Sequence, residues 1–193
     1  MTKRLLTTIL TTLLTAIGLQ AASSFTNVKL TVSGMTVTMS NGKTTIKIGS
    51  NGRASSMKWG SRELLDGSNG IYFDYTTAQG NKALSPSELK IIKQTDEMCE
   101  VLYSATSGNT IFQQGYIMRN DIAGVYTYVI ATGTATSASE PLKEVRVCTR
   151  LASDMLNGYV DYRMNGKLPT NAEMAEAEKN QIQDATYYLS DGS

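Results

Sequence analysis

A chain of 193 residues, 41% hydrophobic and 18% charged, is sized for one globular domain, complete or in part. It contains no histidine, so serine–histidine triads, histidine-ligated zinc and imidazole acid/base catalysis are excluded, and chemistry falls to Lys, Arg, Tyr, Asp, Glu, Cys or a bound ion. A formal net charge of +1 offers no polybasic surface, which removes the electrostatic source of nucleic-acid binding.

Lys3 and Arg4 precede an apolar run over 5–19, diluted by five threonines and closing on Ala21 and Ala22. A membrane span needs roughly 20 apolar residues, so the run predicts a secretory signal peptide over 1–21, cleaved after Ala21, with no stable membrane insertion. Loss of Lys3 and Arg4 takes the formal charge from +1 to −1. The mature chain, 22–193, is expected to be secreted or periplasmic.

From Val28 the pattern has period two. Val28, Leu30 and Val32 alternate with polar residues, Met35, Val37 and Met39 do the same, and Asn41-Gly42 marks a tight hairpin before Ile46 and Ile48. Similar segments recur over 57–59, 71–75, 89–92, 99–103, 111–118 and 126–130, separated by Gly, Asn, Asp or Ser. The fold class read from this is all-β, an antiparallel β-sandwich. One short helix is expected over 171–179, after Pro169 and the capping Thr170. Residues 185–189 read as a strand and Asp191-Gly192 as a turn whose return strand is missing, which leaves that strand unpartnered.

Residues 141–151 carry the most suggestive chemistry. Val145, Val147, Thr149 and Leu151 fall on one face, expected to be core; Glu144, Arg146, Cys148 and Arg150 fall on the other. Two guanidiniums in line can grip a carboxylate through paired hydrogen bonds, although an exposed strand face of Arg and Glu is more often simply solvated. Cys148 lies between the arginines, where positive charge lowers a thiol pKa, but the chain has no histidine to act as its base. Cys99 shares parity with Val101 and Tyr103 and reads as core, so the two cysteines do not obviously face each other, and pairing stays open. Trp59, Tyr72, Tyr75, Tyr116, Tyr126 and Tyr128 are sugar-stacking candidates, with core or cross-strand packing the commoner fate of strand aromatics. No phosphate cradle, paired-cysteine zinc site or calcium loop is present, and neither a cofactor nor a metal is called for.

The order of segments resembles the amino-terminal catalytic domain of rhamnogalacturonan endolyases, pectin-degrading polysaccharide lyases. The resemblance runs from Val28 to Ser193. It rests on Met39-Ser-Asn-Gly-Lys with Ile46-Lys-Ile, on Gly52-Arg-Ala-Ser-Ser-Met-Lys-Trp with Glu63-Leu-Leu, on Gly124-Val-Tyr-Thr-Tyr, on Glu144-Val-Arg-Val-Cys-Thr-Arg-Leu, and on Asp184-Ala-Thr through Asp191-Gly-Ser. It implies a galactose-mutarotase-like supersandwich, here incomplete at the C-terminus, and cleavage of rhamnogalacturonan I by β-elimination at galacturonosyl units.

By that similarity Arg146 matches the arginine of the substrate cleft, a catalytic and substrate-binding position, and Arg150 is its substrate-binding neighbour. The family's lysine base and a later histidine would lie past Ser193, so the chain is expected to be a fragment, inactive as it stands. Lys143, ahead of the strand, and Lys167, in an expected turn, occupy neither position. The implied partner is an acidic pectic polysaccharide, and the chain is expected to be a monomer. A competing reading is a self-contained, non-catalytic carbohydrate-binding or adhesive sandwich, suggested by the strand tyrosines and the missing histidine. An aldose mutarotase is disfavoured, because that chemistry normally uses histidine.

Overall fold

A computed structural model describes residues 24–67, 70–134 and 142–152, the backbone of four short strands beyond them, and Ala172, Ala175 and Glu176. The expected signal peptide and most of the 171–179 helix lie outside the described residues; Ala172, Ala175 and Glu176 are helical.

Seven strands open the chain: β1 (Lys29–Ser33), β2 (Thr36–Ser40), β3 (Thr44–Ile48), β4 (Ala54–Trp59), β5 (Arg62–Glu63), β6 (Ile71–Thr77) and β7 (Gly80–Ala83). Four more, β8 (Glu88–Gln94), β9 (Met98–Ser107), β10 (Thr110–Arg119) and β11 (Tyr126–Gly133), form a second antiparallel sheet in the order β11-β10-β9-β8. The chain then returns to the first sheet, where β12 (Glu144–Thr149) pairs antiparallel with β6 and completes the order β1-β2-β3-β4-β6-β12. The short β5 pairs with β4, and β7 with β6. The result is an all-β sandwich of antiparallel sheets, as the alternation predicts.

The core is what period-two sequences bury. Val37, Met39, Ile46, Ile48, Ile71, Phe73 and Tyr75 come from one sheet; Cys99, Val101, Tyr103, Phe112, Tyr116 and Met118 come from the other. Phe73, Tyr75 and Phe112 form an aromatic cluster across the interface, with the Tyr75 and Phe112 centroids 4.1 Å apart. The two deepest tyrosines satisfy their hydroxyls on backbone carbonyls, Tyr103 on Met35 and Tyr116 on Gly52, each at 2.8 Å. Asn41, expected at a hairpin, is fully buried and also spans the layers. Its amide donates to the Arg119 and Ile122 carbonyls while its oxygen accepts from the Lys43 and Thr44 backbone N–H groups.

Three expectations are corrected. Val145, Val147 and Leu151 do share the inward parity, since Val145 pairs with Tyr75 and Val147 with Phe73, yet they are 48%, 45% and 38% exposed. β12 is the outermost strand of its sheet, so among the described residues its inward side is left open. Lys167 sits at the end of β14 (Met164–Lys167), paired with β13 (Asn157–Asp161), and not in a turn. The late strand expected to lack a partner, β16 (Thr186–Tyr187), pairs antiparallel with β15 (Gln181–Gln183), which precedes it in the chain.

Candidate functional site

The outward face of β6 and β12 brings Asp74, Glu144 and Arg146 together, with Arg150 just past the strand. β6 reads Ile71-Tyr-Phe-Asp-Tyr-Thr-Thr77; its inward residues are core, which leaves Tyr72, Asp74 and Thr76 on the other side. Antiparallel register sets Cys148 opposite Tyr72, Arg146 opposite Asp74 and Glu144 opposite Thr76. Arg150 follows the strand, its N–H bonded to the Gly70 carbonyl. Gly70 has φ 59°, and a Cβ there would run into the Ala54 carbonyl oxygen. The start of β6, the start of β4 and the end of β12 can therefore converge only on a glycine.

Asp74 organises the face. Arg146 donates from Nε to Oδ1 at 2.8 Å and from Nη2 to Oδ2 at 2.7 Å, a bidentate pair, and its Nη1 lies 3.6 Å from Glu144. The Arg146 hydrogen bonds hold the Asp74 carboxyl below its ordinary range despite burial, which pushes it up; the Arg146 charge and an Asn81 hydrogen bond add to the lowering. The same carboxylate raises the pKa of Arg146. Tyr72 is a second organiser. Its hydroxyl accepts a long 3.4 Å hydrogen bond from Arg150, and the Arg53 guanidinium stands 4.6 Å from its ring centroid. A small cleft beside it is lined by Asn51, Arg53, Tyr72, Ala83, Leu84 and the buried Gln114.

Arg146 and Arg150 thus lie on one exposed face, as their parity predicts, with Cys148 half-buried between them. The two cysteines are free: Cys99 is in the core and Cys148 is on the outer face. Burial pushes the Cys99 thiol up to about 11. Of the stacking candidates, Tyr75 and Tyr116 are core, Tyr72 and Tyr128 are half-buried, and Trp59 and Tyr126 are 57% and 51% exposed.

Asp74 and Arg53 were not anticipated from sequence. An aspartate inside an otherwise apolar and aromatic strand, where Asp is a depleted type, was the available signal for the first. Nothing local marked Arg53, whose place depends on a strand pairing. Among the described residues, no group of three or more His, Cys, Asp or Glu side chains could hold a metal ion, and no helix is long and apolar enough to cross a membrane.

No protein-family model matches the sequence. The chain is 30% identical over 194 aligned residues to the rhamnogalacturonate lyase of Dickeya dadantii (strain 3937), an alignment covering 95% of this chain and 33% of that protein. It is therefore a distant relative of that lyase and spans about a third of its length.

Proposed function

We propose that this sandwich is the part of a polysaccharide lyase that binds the uronate-bearing backbone of rhamnogalacturonan I, on the outward face of β6 and β12. The observation that carries the reading is the row of guanidiniums at Arg146 and Arg150 on that face, in a chain related along nearly its whole length to a rhamnogalacturonate lyase. A galacturonosyl unit presents a carboxylate next to the carbon whose proton is removed in β-elimination. Positive charge on that carboxylate stabilises the transition state more than the ground state, because negative charge spreads into it as the proton leaves. Guanidiniums gathered on this face supply that charge.

Proton removal needs a base as well, and the chain has no imidazole. The strands of this face, β6 and β12, carry no lysine or histidine, so the face is proposed to bind the polysaccharide without supplying that base. The reading includes export, carried by Lys3 and Arg4 ahead of the apolar run over 5–19.

Incubation with rhamnogalacturonan I tests both halves. Binding is expected in pull-down or calorimetry, with no rise in the ultraviolet absorbance of unsaturated uronates. Absence of binding removes the reading. A rise in absorbance would place the base within this chain and overturn the proposed division of roles.

A further inference from the structure

We infer that the uronate carboxylate is gripped by Arg53, over the Tyr72 ring, and Arg150, at the Tyr72 hydroxyl, and that Arg146 is a positioning residue held out of that grip by Asp74. This rests on the reading of the face as a uronate-binding surface and assigns its residues different roles.

The arginines of this face differ in spare hydrogen-bond capacity. A guanidinium recognises a carboxylate best through two parallel N–H groups, and for Arg146 the Nε/Nη2 edge is already spent on Asp74 at 2.8 and 2.7 Å. Its Nη1 faces Glu144, so an incoming carboxylate meets two resident ones. Arg150 has a single long bond to a neutral phenol, at 3.4 Å. Arg53 has its guanidinium against the Tyr72 ring and, among the described residues, no carboxylate partner. Stacking on an aromatic ring leaves the N–H edge of a guanidinium free to donate in its plane. One phenol therefore holds two under-used guanidiniums, Arg150 at its hydroxyl and Arg53 at its ring.

A second observation lies beside Arg53. The cleft lined by Asn51, Arg53, Tyr72, Ala83 and Leu84 is bordered by Gln114, which is fully buried and whose Oε1 has no hydrogen-bond partner. A buried acceptor without a donor is costly. A hydroxylated ligand, or a water it brings, supplies the donor; the cleft thus marks the Arg53 side as the one where a sugar ring adjoins the carboxylate.

The test is calorimetric titration with rhamnogalacturonan oligosaccharides, either with free uronates or with the same uronates methyl-esterified. Arg53→Ala and Arg150→Ala are each expected to weaken binding of the free acid at least tenfold while leaving the ester within about twofold, which removes discrimination between the two. Arg53→Lys keeps the charge but loses the planar fork and is expected to recover binding only in part; it also reads the site if the alanine variant folds poorly. Arg146→Ala is expected to lower affinity for both forms to a similar degree, through loss of the order it gives β12. If Arg53→Ala and Arg53→Lys bind the free acid as the parent does while Arg150→Ala does not, the clamp is overturned and the uronate-binding face stands. If the parent binds neither form, both fall.

Discussion

Replacing Asn41 by alanine should be among the most damaging single polar changes in the molecule. Its side chain makes four hydrogen bonds, to the carbonyls of Arg119 and Ile122 at 2.8 and 2.7 Å and from the N–H groups of Lys43 and Thr44 at 3.2 and 2.8 Å. Through them the β2–β3 turn of one sheet is tied to the β10–β11 turn of the other. At a net contribution of about 1 kcal/mol per bond the upper figure is about 4 kcal/mol. The two freed carbonyls can regain water, whereas the buried Thr44 N–H cannot, so about 3 kcal/mol is expected. For a domain of this size that corresponds to a fall of about 6–12 °C in Tm. Urea unfolding should show the loss as a lower midpoint with an unchanged slope. Asn41→Asp keeps both acceptor bonds and loses both donors, so it should also be strongly destabilised. A loss below about 1 kcal/mol for Asn41→Ala would refute the idea that this residue fastens the two layers.

Three further outcomes follow from the packing and the titrating groups. Gly115→Ala should cost about 1–3 kcal/mol, because a Cβ there overlaps the Tyr128 ring, whose hydroxyl bonds Glu100 at 2.5 Å. In Tyr128→Ala that cost should largely vanish, and full additivity in the double-mutant cycle would count against the contact. In the native protein a thiol-specific disulfide reagent at mildly alkaline pH should modify Cys148 only, Cys99 reacting after denaturant because burial raises its thiol to about 11; equal native rates would contradict this. Burial pushes the Glu63 carboxyl up, but hydrogen bonds from Ser56 and from the Met57, Leu65 and Leu64 N–H groups outweigh it and hold the pKa below its ordinary 4.5. The folded value being the depressed one, this contribution is present above about pH 4.5 and is lost as pH falls through the folded pKa. Glu63→Gln should flatten the acid limb of the stability profile, and an unchanged limb would argue against the hydrogen bonds.

What was legible in the sequence is what depends on near neighbours. Alternation over 71–75, 99–103 and 111–118 located β6, β9 and β10, and parity alone put Arg146, Cys148 and Arg150 together on one face. Pairing partners distant in the chain were not legible. Arg146 meets Asp74 across 72 residues, through a register set by the packing of the whole sheet. The same limit explains Val145 and Val147, since parity tells which residues share a face and not whether anything lies over it. The short β5 and β7 are too brief to show a period, yet β7 brings Asn81 beside Asp74.

Whether an acidic glycan lies across β6 and β12 is read directly by backbone-amide NMR titration with free-acid rhamnogalacturonan oligosaccharides. Saturable shifts concentrated at Arg53, Tyr72, Asp74 and Arg146 through Arg150 are expected, weakening as salt is raised. Shifts gathered instead around Tyr126 and Tyr128, on the far side of the second sheet, or no saturable shift, would contradict that placement.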